Sequence, residues 1–106
     1  MSLIEEIRAA IAERRFELSQ HASDQSVARN IGAAELTDAL YSGEVIEDYP
    51  DDKYGPSCLI LGLTRWGRPL HVQCSYPSRP VLKIITVYEP DPDLWIALKH
   101  RKGRIG

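Results

Sequence analysis

Only two cysteines, one methionine and one phenylalanine occur in the 106 residues of this chain. Two cysteines build neither a disulfide framework nor a four-ligand zinc cluster. No apolar run approaches the roughly 18 residues that a membrane-spanning helix needs. No signal peptide or lipidation motif is readable, so the expected compartment is the cytoplasm, with both thiols reduced and no membrane partner. The phosphate-cradling P-loop, the dinucleotide pattern GxGxxG and the nucleophile elbow GxSxG are all missing. No cofactor and no metal are therefore expected. Asp48, Asp51 and Asp52 are close enough to suggest a divalent cation, but their spacing fits no calcium loop and Pro50 sits among them.

The formal net charge is only -2, which excludes a strongly polyanion-binding molecule. The sign is unevenly spread. Residues 1–52 hold 12 acids and 4 bases, whereas residues 53–106 hold 3 acids and 9 bases. An acidic helical half and a basic sheet half read as solvated surface, as an anion-facing sheet, or as an acidic flank that meets a basic partner.

At this length the chain is one domain, expected over residues 1–98 with a mobile basic tail over 99–106. Three apolar runs organise it: Ser57–Leu63, Leu70–Ser75 and Val81–Tyr88. Each has strand length, is rich in Leu, Ile or Val, and is bounded by Gly or Pro. The short gaps predict an antiparallel meander. Pairing Thr64 with Pro69 sets Leu59, Leu61 and Leu63 opposite Cys74, Val72 and Leu70, and these opposite Leu82, Ile84 and Thr86. One face is then almost wholly apolar and forms the core, under a helix bearing Ile4, Ile7 and Ile11. In this register Cys58 and Cys74 point to opposite faces, so no bond between them is expected. Gln73 falls opposite Lys83 and His71 opposite Ile85.

Upstream, Ser2 and Glu5 form a capping box for a first helix to about Arg14. Phe16–Leu18 reads as an edge strand or extended link. Ser19 caps a second helix to about Arg29, Asn30 ends it in the left-handed conformation, and a third runs from about Ala33 to Ser42. Val45 and Ile46 start the sheet. The expected fold class is α+β: two or three N-terminal helices on one face of a roughly four-stranded antiparallel sheet.

The strings Ser19-Gln20-His21-Ala22, Arg29-Asn30-Ile31 and Gly43–Pro50 resemble the small prokaryotic proteins of domain-of-unknown-function family 4258. So do Pro56–Gly62, Gly67–Val72 and Ile84–Pro90. The resemblance spans roughly Phe16 to Trp95. That family is grouped with RelE/ParE-like toxins, which implies their helix-on-sheet fold, an RNA partner and a cognate antitoxin-like protein. It also implies metal-independent RNA cleavage, which needs a base for the ribose 2′-OH, cations for the phosphate and an acid for the leaving oxygen. The residue types for catalysis are His71, His21 and Tyr88, and for holding nucleic acid Lys83, Gln73 and Arg29. Relatives often carry a base four places after the helical histidine, where this chain has Gln25. The leading reading is thus a toxin-type protein that binds or cleaves RNA. The rival is a non-catalytic interaction domain that uses the mixed sheet face, with His71, Gln73 and Lys83 as its polar patch.

Overall fold

Helix starts fall where the sequence supplies caps. In the computed structural model, which describes residues 2–77 and 80–102, the Ser2 hydroxyl accepts the Glu5 N–H and opens α1 (Leu3–Ala12). The Ser19 hydroxyl accepts the Ala22 N–H and opens α2 (Gln20–Ala28). Asn30 takes a φ of 54°, and buried Ile31 returns its N–H to the Ser26 carbonyl, the left-handed stop the sequence predicts. The third helix, α3, spans Ala33–Ser42.

The strands are β1 (Phe16–Leu18), β2 (Glu44–Tyr49), β3 (Ser57–Leu63), β4 (Pro69–Ser75), β5 (Leu82–Tyr88), β6 (Trp95–Ile96) and β7 (His100–Arg101). The main sheet has five strands in the order β1-β5-β4-β3-β2. It is mixed, because β1 runs parallel to β5 while the other pairs are antiparallel. The expected four-stranded antiparallel sheet is corrected on both counts. Three residues are too few to show a strand period, yet Phe16 and Leu18 pack on the core and Arg15 accepts the Leu82 N–H. Where β1 ends, α2 completes the edge of β5. The Ser19 hydroxyl donates to the Ile85 carbonyl, and Gln25 Oε1 accepts the Val87 N–H at 2.9 Å. Gln25 therefore has a structural task.

The β3–β4 register is shifted by one residue from the sequence expectation. Thr64 pairs with Arg68 rather than Pro69, closed by Thr64 N–H to Arg68 C=O and Gly67 N–H to Thr64 C=O. Cys58, Ile60 and Gly62 consequently face the helices, opposite Cys74, Val72 and Leu70. Leu59 and Leu61 turn to the other face, opposite Gln73 and His71, and Leu63 is half-exposed. Gly62 explains the choice. A Cβ there would lie 1.8 Å from the Ala39 carbonyl oxygen of α3, so only a glycine row can lie under that helix. Leu70, Val72, Leu82 and Ile84 are core residues as expected, joined by Val87 in place of Thr86 after an irregularity in the β4–β5 pairing. Ile7, Ala10 and Ile11 of α1 and Leu36, Ala39 and Leu40 of α3 complete this core.

The two cysteines do not point to opposite faces as the sequence predicts. Cys58 and Cys74 are direct cross-strand partners on the same face, both free and fully buried, with sulfurs 3.9 Å apart. They pack as small hydrophobes, and burial with the neighbouring thiol holds the Cys74 proton on. The basic tail also differs. Lys99 and Arg101 fold back on β6–β7 to pair with Glu44 and Glu47, while residues 103–106 lie outside the described residues.

Gly62→Ala is expected to destabilise the fold at or above the top of the about 1–3 kcal/mol range for overpacking. Leu61→Ala, on the other face and only half-buried, should cost less. Urea unfolding of both variants checks the register, and the reverse ranking would refute it.

Candidate functional site

The face of the sheet away from α1 and α3 carries the polar side chains. Strand alternation places Glu47 and Tyr49 of β2, Ser57, Leu59 and Leu61 of β3, His71, Gln73 and Ser75 of β4, and Lys83, Ile85, Thr86 and Tyr88 of β5 together there. The β6–β7 hairpin covers one end and leaves the other open.

At the covered end His71 is fully buried. Its Nε2 lies 2.6 Å from the Leu98 carbonyl and must donate to it, so Nδ1 is the acceptor for the Tyr88 hydroxyl at 3.2 Å. Trp95 packs edge-on against the imidazole at 4.4 Å between centroids. Beside them, Arg101 grips Glu47 and stacks over the Trp95 ring, while the Tyr49 hydroxyl donates to Glu47. Burial pushes His71 down, outweighing the help that the Leu98 carbonyl and Glu47 give its charged form. Burial also raises Tyr88, and burial with the Glu47 charge raises Tyr49 to about 12, so both phenols keep their protons. Burial resists the Glu47 charge, but Arg101 and Tyr49 overcome it and hold that carboxyl below its usual range. The turn that lays this hairpin down has two non-glycine residues at positive φ, Ala97 at 52° and Leu98 at 63°, a strained conformation for side chains of this size.

The open end holds a cavity of about 400 Å³ lined by Ser19, Asp52, Tyr54, Gly55, Pro56, Gln73, Ser75, Lys83 and Ile85. A directional chain of hydrogen bonds sets its floor. The Thr86 hydroxyl donates to Gln73 Oε1, the Gln73 amide donates to Ser57 Oγ at 3.2 Å, and the Ser57 hydroxyl donates to Asp52 Oδ2 at 3.2 Å. Ser75 Oγ accepts the Lys83 backbone N–H. Tyr54 stands 81% exposed at the rim, with Lys53 over its ring.

The expected patch of His71, Gln73 and Lys83 is thus divided. Gln73 pairs with Thr86 and His71 with Tyr88, in place of Lys83 and Ile85. Gln73 and Lys83 open to the cavity, His71 and Tyr88 lie under the hairpin, and His21 and Arg29 are exposed on and just after α2. Asp52, Tyr54, Ser75, Glu47 and Arg101 were not read as site residues. The period-two row His71, Gln73, Ser75 on β4 is a usable signal for Ser75, whereas Asp52 and Tyr54 lie in a loop that carries no such period. Nothing local marks Arg101, whose partner lies 54 residues away. Among the described residues no group of three His, Cys, Asp or Glu side chains is placed to hold a metal ion. None of their helices is long and apolar enough to cross a membrane.

Residues 18–89 match the family described as Domain of unknown function (DUF4258). The chain belongs to that family. No curated protein and no solved structure matches it. The DUF4258 segment begins at the end of β1 and closes just after β5. It contains the whole lining of the open cavity and excludes the hairpin that covers His71.

The buried imidazole predicts a pH dependence. The unfolded chain takes up a proton near 6.5 and the folded chain only at lower pH, so stability is complete above about 6.5 and falls as the pH drops below it. The depressed carboxyls Glu35, Asp38 and Glu47 contribute a separate loss, below 4.5. His71→Gln should remove the loss that begins below about pH 6.5 and leave the acid limb. Urea midpoints against pH for wild type and variant make the comparison; an unchanged step in the variant would refute it.

Proposed function

We propose that this protein is a non-catalytic binding domain that receives a partner protein at the open end of its second sheet face. The observation that carries this reading is the division of the polar patch. The histidine of the main sheet, His71, has both ring nitrogens engaged inside the fold, while Gln73 and Lys83 open to a cavity with an exposed tyrosine at its rim. The charge balance supports a protein over a nucleic acid. Arg65 pairs with Asp38, Arg68 with Glu35, Lys99 with Glu44 and Arg101 with Glu47, so these cations of the basic half already answer acids of the first half. Phosphate binding needs cations whose charge is not already spent.

One observation favours the toxin-type reading, with RNA as substrate. An imidazole, a phenol, a carboxylate and a guanidinium meet at the covered end, the groups that metal-free RNA cleavage uses, and the turn covering them is strained. On that reading the hairpin must lift before RNA reaches His71.

Affinity capture from a host lysate with wild type and a Tyr54→Ala/Gln73→Ala variant tests the first reading. A protein retained by wild type and lost by the folded variant is expected. Growth and RNA integrity on expression test the second. Cleaved RNA in cells making wild type, abolished by His71→Gln, would overturn the non-catalytic reading.

A further inference from the structure

We infer that the open cavity is a carboxylate site, and that Glu17 occupies its cation until a carboxylate on an apolar stem displaces it. This inference rests on the binding-domain reading and names the chemistry that the partner presents. Glu17 and Lys83 are direct neighbours in the parallel β1–β5 pairing, and their charged groups lie 2.7 Å apart. Both side chains stay open to solvent, at 57% and 40% exposure, so the pair is weak and exchangeable. The donors beside Lys83 have capacity to spare. Ser75 Oγ accepts the Lys83 N–H and, among the described residues, its own proton has no acceptor. The Gln73 amide keeps one N–H beyond the bond to Ser57. Tyr54, Pro56 and Ile85 give the stem an apolar wall.

Asp52 is the opposing charge in the cavity. It enters from the β2–β3 loop and already accepts the Ser57 hydroxyl and the Tyr54 N–H. Its charge sets a bias against anions that removal should relieve. An ammonium, an amide or a neutral ring finds no comparable set of unspent donors to answer.

Titration of phenylacetate into the full isotope-labelled chain, with phenylacetamide as the uncharged control, tests the site by amide shifts at Gln73, Ser75, Lys83 and Ile85. Phenylacetate alone is expected to move them. Glu17→Gln and Asp52→Asn should each tighten binding about two- to fivefold, the scale of an exposed ion pair. Lys83→Met should abolish it, with thermal melts establishing that each variant is folded. Equal response to the amide, or no gain from Glu17→Gln, overturns the inference. Peptides with a free carboxyl terminus, with an amidated terminus, and with an internal glutamate then assign the carboxylate to a chain end or a side chain. Partner capture that survives Lys83→Met but is lost in Tyr54→Ala/Gln73→Ala would leave the binding reading standing and remove the carboxylate from it.

Discussion

The approach of α3 to the sheet is the constraint on which the other features depend. Ala39 presses its backbone onto Gly62, and Gly43, just past the helix, also has no room for a Cβ beside the Ile60 side chain. Two glycines at the helix–sheet contact decide which row of β3 faces the helices. That decision puts Cys58 and Ile60 inside and rotates Leu59 and Leu61 outward. An outward leucine row needs cover, and the β6–β7 hairpin lies on that side with Trp95 buried. Burial of His71 is thus a distant consequence of a missing Cβ.

Arg68 ties the same assembly at its other end. It follows the tight β3–β4 turn and donates to Glu89 and Glu35 and to the carbonyls of Arg29 and Asn30 at the end of α2. A cation at a helix C-terminus meets the negative end of the helix dipole, and here it also answers carbonyls the helix leaves unpaired. One guanidinium so joins α2, α3, the turn and the end of β5. The acidic-first, basic-second charge pattern has the same meaning: it is a folding code for ion pairs between the halves.

The helices were legible because their signals are local. Ser2, Ser19, Asn30 and the apolar spacing act within one or two turns. The strand runs were legible for the same reason, but their register was not. Leu59, Leu61 and Leu63 form the more hydrophobic row, and hydropathy alone assigns it to the core. What overrules hydropathy is the room under α3, a property of two segments 23 residues apart that neither displays alone. The candidate site shared this fate. Gln73 and Lys83 lie on the face of β4 and β5 to which strand alternation assigns them, because that signal is local. His71 falls on the face the sequence predicts, but its full burial is not legible there, since the hairpin that covers it is built from residues that lack a strand pattern.

The split of the polar face bears on what the fold can do. A catalytic imidazole must present one nitrogen to substrate while the other is held. In His71 both are held: Nε2 donates to the Leu98 carbonyl and loses that bond if it gives up its proton, and Nδ1 accepts from a phenol that burial keeps protonated. The ring is tuned to stay neutral and to stay put, which suits a strut between sheet and hairpin. At the open end the arrangement is the reverse: the Thr86–Gln73–Ser57–Asp52 chain fixes the amide, while Ser75 and Lys83 keep hydrogen-bonding capacity toward the cavity. Rigid groups with unused donors beside an apolar wall are what binding requires, since little order must be created when the ligand arrives. The two ends of one sheet face therefore divide its polar residues: one end is closed by internal partners, and the other keeps donors open to a cavity.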